Sequence, residues 1–476
     1  MSEHVEKKMD HLYLQQMMTE TTSNLAVVIL AAGQGTRMCS ALPKVLHTLA
    51  GKPLLEHVVC YAESLDPGSI HVVYGHGGEQ VRERLSHLQV NWVLQEQQLG
   101  TGHAVEQALP QIGTDQTVLV LYGDVPLVKS ETLLNLLNRS RESGFSLLTV
   151  SLESPAGYGR IVRSSDGRMA RIVEQRDASV DELEIREVNT GILAVSGDKL
   201  KGWIDELENG NAQGEFYLTD IVEMAVRDGV EIKTVSAATA KEVQGVNDRL
   251  QLSQLERAYQ RDQAEQLMLD GVTLLDPDRF DLRGTAKAGQ DVIIDVNVIL
   301  QGEVILGDRV EIGANCHIQD ATIEEGTVIL PNSVIDSAEI GPSCRIGPFA
   351  RIRPGTKLTA SAHVGNFVEL KNSQVAEGSK INHLSYVGDS IVGARVNIGA
   401  GVITCNYDGA NKYRTVIGDD AFVGSDTQLV APVEVGRGAT IGAGSTIVKD
   451  APADQLTLSR SKQTTIKGWR RPQKKS

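Results

Sequence analysis

Residues 417–447 read IGDDAFVGSDTQLVAPVEVGRGATIGAGSTI, and in them an aliphatic side chain returns at every sixth position: Ile417, Val423, Leu429, Val435, Ile441 and Ile447. The same step runs through Ile294, Leu300, Leu306, Ile312 and Ile318, and again through Ile340, Ile346, Ile352 and Leu358. A helix would bring its apolar face back every third or fourth residue, and a sandwich strand every second. A six-residue step describes short flat strands, each with one inward aliphatic that it cannot bury alone. The strands must therefore coil and stack into a prism filled by Ile, Leu and Val. The residue after the aliphatic is often glycine, as at Gly307, Gly313, Gly341, Gly347, Gly418, Gly424, Gly436 and Gly442. Each is expected to let the backbone turn a corner after its strand.

Before the prism, Asp248 to about Asp270 has no Gly or Pro and sets Leu250, Leu255, Tyr259 and Leu267 among charges, ending at Gly271. That pattern reads as a long connecting helix. Residues 271–293 then lead into the repeat, which breaks at Cys405 to Thr415, where Asn406-Tyr407-Asp408-Gly409-Ala410-Asn411 cannot form a rung. A second irregular stretch is expected from Lys357 to His383. Insertions on a solenoid usually lie on its working face.

At the front, Leu25 to Leu30 is a continuous apolar run of the kind buried in a parallel sheet, and it feeds into Ala31-Ala32-Gly33-Gln34-Gly35-Thr36-Arg37-Met38. The loop lacks both the Gly-Lys-Ser/Thr of a Walker motif and the third glycine of a Rossmann fingerprint. Leu42-Pro43-Lys44 follows, so Arg37 and Lys44 stand in one short segment from which both can reach a triphosphate cradled by backbone amides. A tight turn with two solvated cations is the alternative. Apolar runs at Ile70–Tyr74, Trp92–Leu94, Val118–Tyr122 and Phe145–Val150 alternate with helical stretches at Pro53–Leu65 and Ser130–Glu142. This βαβ rhythm predicts a mostly parallel sheet with ligands beyond the carboxyl ends of its strands.

The start motif, Leu30 to Met38 with Pro43-Lys44, resembles that of the sugar-phosphate nucleotidyltransferases, and the six-residue repeat resembles the left-handed β-helix of hexapeptide acyltransferases, which work as trimers. From Leu25 to Pro472 the chain is similar to the family of bifunctional glucosamine-1-phosphate acetyltransferase / N-acetylglucosamine-1-phosphate uridylyltransferases. The fold class implied is α/β plus β: a Rossmann-like nucleotidyltransferase domain at 25–249, a linker helix at 250–270, and a left-handed parallel β-helix at 271–476. Residues 1–24 read as a loose extension without family counterpart. The implied reactions are acetyl transfer from acetyl-CoA to glucosamine-1-phosphate, then uridylyl transfer from UTP to give UDP-N-acetylglucosamine, a cell-envelope precursor.

Residue by residue, the resemblance implies nucleotide and product binding by Leu30, Ala31, Ala32, Gly33 and Lys44, with Arg37 and Lys44 catalytic. Gln95, Gly100 and Thr101 would read uracil, although Thr101 also stands where a helix N-cap would. Tyr122, Gly123 and Asp124 end a strand. Asp124 and Asn247 would hold Mg²⁺, an ion that takes few protein oxygens and fills its octahedron with waters and phosphate. Gly159, Glu174 and Asn189 would meet the sugar. In the second half, Arg353 and Lys371 would hold the sugar phosphate, while Tyr386 and Asn397 would position the sugar. Ala400, Asn406, Tyr407, Ser425, Ala443 and Arg460 would contact acetyl-CoA. His383, in Asn382-His383-Leu384-Ser385-Tyr386, matches the catalytic segment and would be the general base, since free imidazole titrates near about 6.5. His363 is its competitor.

The 476 residues suggest about three domain-sized units, and 41% apolar residues suffice for real cores. A balance of 46 Lys+Arg against 61 Asp+Glu, net −15, argues against a broad nucleic-acid or membrane surface. Five widely spaced cysteines without a CxxC indicate neither a disulfide framework nor zinc and fit a reducing cytoplasm. One competing reading is a nucleotidyltransferase whose β-helix only assembles or regulates it. It leaves His383, the Arg353 and Lys371 pair and the Asn406-Tyr407 loop without a purpose. A non-catalytic scaffold would be expected to lack Asp124 or Lys44.

Overall fold

The computed structural model describes residues 24–33, 35–75, 78–472 and 474. The extension expected at 1–24 therefore lies, but for Asn24, outside the described residues. The chain divides between Tyr259 and Gln260 into two compact units. The division falls inside a helix, Arg249–Leu269, that occupies the segment expected to connect the halves.

In the first unit the strands lie in the spatial order Lys233–Ser236, Phe145–Ser151, Glu187–Ser196, Thr117–Tyr122, Leu25–Ala31, Ser69–Gly75, Asn91–Gln95. All pairings along this path are parallel except those of Glu187–Ser196, which runs antiparallel to both neighbours. The run Leu25–Ala31 is apolar throughout because both of its faces are covered. Val27 and Ile29 pack with Leu119, Leu121 and the helices Leu54–Glu63 and Ser130–Ser143. Val28 and Leu30 pack with Val118, Val120 and the helices Thr101–Ala108 and Gly197–Asp205 on the other side. The carboxyl ends of the central strands thus open on one edge, at Ala31, Tyr122 and Gln95.

The second unit is a left-handed parallel β-helix. Its inward side chains form three columns in strict register. One climbs through Ile294, Ile312, Ile329, Ile346, Val364, Ile381, Ile398, Val423 and Ile441. Another climbs through Leu306, Ile323, Ile340, Leu358, Val375 and Val392 to Ile417 and Val435. Each is essentially solvent-free, and full burial of such a side chain stabilises by about 1.5–3 kcal/mol. Thr273–Leu274 and Phe280–Ala288 already pair as rungs, so the segment 271–293, read from the sequence as a lead-in to the repeat, is itself part of the prism.

Two further expectations are corrected. Lys357 to His383 is not irregular, since Leu358, Val364, Leu370, Val375 and Ile381 keep the columns filled. The step shortens to five at corners such as Asn372 (Leu370 to Val375) and Asp389 (Val387 to Val392), which hides the period from a six-residue search. Nor do most of the repeat glycines turn corners. Of the eight, only Gly347 has positive φ, whereas bends are carried by residues such as Asn297, Asn315, Asp320, Ser343 and Asp389. A Cβ on Gly307, Gly424 or Gly436 would stand 2.5–2.6 Å from a backbone nitrogen of the next turn. Glycine is therefore needed there for the closeness of stacked rungs.

Candidate functional site

In the first unit a cavity of about 480 Å³ opens at the carboxyl edge of the sheet. Leu30, Ala31, Ala32, Gly33 and Lys44 form one wall, Gln95, Gly100 and Thr101 another, and Tyr122 and Asp124 the floor between them. The glycine loop folds back because Gly35 adopts φ +60, and a Cβ there would meet Lys44 Cβ at 2.6 Å. This aims Lys44 inward, where its ammonium pairs with the Asp124 carboxylate. Arg37, on the turn Thr36–Met38, lies outside the cavity lining and donates from Nη2 to Asn247 Oδ1 at 2.9 Å. The segment carrying Asn247 reaches Asp124 through Val246 N–H donating to Asp124 O at 2.9 Å.

Gln95 is buried, donating to Gly100 O at 3.1 Å and pairing with His103 Nδ1 at 2.9 Å. Gly100 has φ +120, and a Cβ on it would stand 2.5 Å from Phe216 O, so the loop can pass only as glycine. Thr101 opens the helix but does not cap it; its hydroxyl accepts from Leu218 N–H at 3.0 Å, because residues 216–218 cross over this loop. The residues expected at the sugar gather beside Tyr122. Asn189 N–H donates to Gly159 O at 2.9 Å, and Gly159 faces the Glu174 carboxylate. Burial raises the Glu174 carboxyl above the usual range, against a hydrogen bond from Thr219. Burial, with repulsion from Glu174, Glu223 and Asp177, lifts Asp220 to about 6. Gln98 and Glu215, which also line the cavity, and Thr219 were not singled out in the sequence; no periodicity or motif marks the segment that carries Glu215 and Thr219.

Asp124 and Asn247 suit a divalent ion of magnesium's kind. They offer one carboxylate and one amide oxygen, both turned toward cationic groups, Lys44 and Arg37. Among the described residues no group of three or more His, Cys, Asp or Glu is placed to hold a metal.

In the second unit most of the expected residues fall on two edges of the prism. On one edge, successive turns are tied by hydrogen bonds: Leu384 N to Asn366 O at 3.1 Å, Gly401 N to His383 O at 3.2 Å, Asp426 N to Ala400 O at 2.7 Å, and Gly444 N to Ser425 O at 2.9 Å. Arg460 Nη1 donates to Ala443 O at 2.9 Å. His383, Ala400, Ser425, Ala443 and Arg460 therefore stand in one column. His383 is exposed, and its Nδ1 bonds Asn366 Oδ1 at 2.8 Å. In the neutral ring this contact is satisfied by the tautomer with its proton on Nδ1, which leaves Nε2 as the acceptor. His363 sits one turn below, half-buried and across from Lys380, at the far end of its strand.

The other edge carries Arg353, Lys371 and Asn406. Arg353 pairs with Glu369 at 2.7 Å. Lys371 bonds Asp389 at 3.4 Å and has Lys412, from the insertion, beside it. Asn406, at the root of the insertion, also donates to Asp389. Burial opposes ionisation of Asp389, but hydrogen bonds from Asn372 and Asn406 and the Lys371 charge outweigh it and hold the carboxyl below the usual range. Tyr386 starts the strand that joins the two edges, and Asn397 lies on another face of the prism, paired between Lys380 and Phe422. Tyr407 is exposed, its hydroxyl donating to Gly409 O at 2.5 Å. All five cysteines are free, and among the described residues no helix is long and apolar enough to cross a membrane.

Residues 27–176 match the MobA-like NTP transferase domain. Residues 320–354 and 414–449 match the bacterial transferase hexapeptide repeat, and 340–430 the GMPPB C-terminal domain. The bifunctional protein GlmU of Stutzerimonas stutzeri (strain A1501) is 57% identical over 452 residues, which cover 95% of this chain and 100% of that protein. Identity at this level through both units, with a transferase domain matched in each, places the chain in the GlmU family of bifunctional proteins.

Proposed function

We propose that this chain makes UDP-N-acetylglucosamine in two steps, one in each unit, and that the residues gathered above carry them. In the β-helix, the amine of glucosamine-1-phosphate attacks the thioester carbon of acetyl-CoA. The C–S bond breaks, and the amine proton passes to His383 Nε2 and from there to the departing sulfur, so that coenzyme A leaves as thiol. The pairing of Nδ1 with Asn366 supports this role, since it keeps Nε2 free to accept. Arg353 and Lys371 hold the phosphate, Tyr386 and Asn397 the sugar. The column Ala400, Ser425, Ala443 and Arg460, with Asn406 and Tyr407, receives acetyl-CoA.

In the first unit, a phosphate oxygen of N-acetylglucosamine-1-phosphate attacks the α-phosphorus of UTP, and diphosphate leaves. Gln95, Gly100 and Thr101 seat the base, Gly159, Glu174 and Asn189 the sugar, and Lys44 with Arg37 balances the phosphates. Asp124 and Asn247 would hold Mg²⁺, which supplies charge neutralisation between the two phosphate groups when bound. The observation that carries the reading is the Lys44–Asp124 pair at the floor of the cavity, in a chain that belongs to this family. The compartment proposed is the cytoplasm.

Incubation with glucosamine-1-phosphate, acetyl-CoA, UTP and magnesium, each omitted in turn, tests it. Product is expected only in the complete mixture, whereas UTP consumption with acetyl-CoA omitted would point to a single-function transferase. The assembly proposed is a homotrimer through the β-helix, because the insertion 406–411 offers an open site with no facing wall in one chain. Light scattering should give three chains per particle; a monomer with full acetyl transfer would remove the shared site.

A further inference from the structure

Asp389 lies outside every assignment made so far, yet it touches two of them. Its backbone completes a corner without help from the side chain: φ is +49°, its N–H donates to Lys371 O at 2.9 Å, and its carbonyl accepts from Thr415 N–H at 3.4 Å. Asp320 shows what such a corner needs. There a carboxylate on the same edge, also at positive φ, accepts Glu303 N–H of the turn below at 3.1 Å, a local backbone duty. The Asp389 side chain does something different. The residue is 9% exposed, and its oxygens take three side-chain donors: Asn372 Nδ2 at 2.7 Å, Lys371 Nζ at 3.4 Å, and Asn406 Nδ2.

We propose that Asp389 is a positioning residue for acetyl transfer, fixing Lys371 and Asn406 against each other so that the sugar-phosphate and acetyl-CoA ends of the site are set by one carboxylate. The proposal rests on the reading of this unit as the acetyl-transfer site. A carboxylate buried this far is costly unless its lone pairs are filled, and here they are filled by Asn372 and by one residue from each subsite. Lys371 sits on a flexible four-carbon stem that would lose rotamer freedom on binding phosphate; held by Asp389, it has already lost much of it. Asn406 is the first residue of the insertion, its carbonyl accepting Tyr413 N–H at 2.8 Å, so the bond to Asp389 also fixes where residues 406–413 leave the prism.

Asp389→Asn tests this, because Asn keeps the shape and accepts a positive φ with little strain. Acetyl transfer is measured with each substrate varied, beside uridylyl transfer from supplied N-acetylglucosamine-1-phosphate. KM for glucosamine-1-phosphate and for acetyl-CoA should each rise about tenfold, with kcat changed less than about threefold and uridylyl transfer unaltered. In a Lys371→Ala background the exchange should add nothing to the KM for glucosamine-1-phosphate, and in Asn406→Ala nothing to that for acetyl-CoA. Both KM values within about twofold of the parent's, or effects fully additive with those two variants, overturn the proposal. So does loss of the β-structure signal in circular dichroism, which would make Asp389 a plain part of the scaffold. If Lys371→Ala and Asn406→Ala themselves leave acetyl transfer intact, the underlying reading of the unit fails, and the proposal with it.

Discussion

Asp124→Ala is expected to lower uridylyl transfer by about 10³-fold or more, close to 4 kcal/mol of transition-state stabilisation, while acetyl transfer stays within about twofold of the parent. The carboxylate stands at the floor of the cavity, paired with Lys44, and the backbone carbonyl of the same residue accepts from the segment that carries Asn247. Removing it takes away the anionic member of a group that must gather a metal ion and two phosphates, and leaves the Lys44 ammonium without its partner. Backbone cost is small, since the bond from Val246 N–H goes to the Asp124 carbonyl and survives the exchange. Initial rates of diphosphate release and of free coenzyme A thiol, taken on the same preparation, decide the matter. An equal fall of both rates in a folded protein would refute the confinement of this chemistry to the first unit.

His383→Ala should lower acetyl transfer by about 10²–10⁴-fold, the usual span for loss of a general base, with uridylyl transfer from supplied N-acetylglucosamine-1-phosphate unchanged. The ring is exposed at a corner, so truncation opens no core cavity. What disappears is an imidazole whose Nδ1 is already committed to Asn366 Oδ1. His363→Ala is the comparison. Burial and the charges of Arg345, Lys380 and His383 push that imidazole below its ordinary range, which makes it a weaker base, and it sits at the opposite end of its strand. A large loss at His363 with little at His383 would reverse the assignment.

The prism was legible because each short strand has one inward position, so burial writes itself into the chain as a period. The first sheet was legible for the complementary reason: strands such as Leu25–Ala31 are covered on both faces and read as unbroken apolar runs. Contacts between turns left no such mark. Asn366 and His383 are neighbours only because one full turn separates them, as with Lys371 and Asp389, and nothing local to Asp389 distinguishes it from Asp320. The role of the repeat glycines was misread for the same cause, since closeness to the next rung is invisible within a single hexapeptide. Residues 215–219 escaped notice because a crossing segment has neither periodicity nor a motif.

The insertion at 406–414 has one more consequence. The turn that contains it uses 25 residues between Ile398 and Val423, where the preceding turn uses 17 between Ile381 and Ile398, yet the column continues in register. Lengthening a surface loop costs little, about 0.6 kcal/mol for each doubling. The scaffold therefore behaves like a rack whose shelves do not move when something is hung from one edge. New side chains can be added at a corner, and old ones exchanged, without the interior being renegotiated, so that changes in what the site accepts and changes in how firmly the stack holds can be inherited separately.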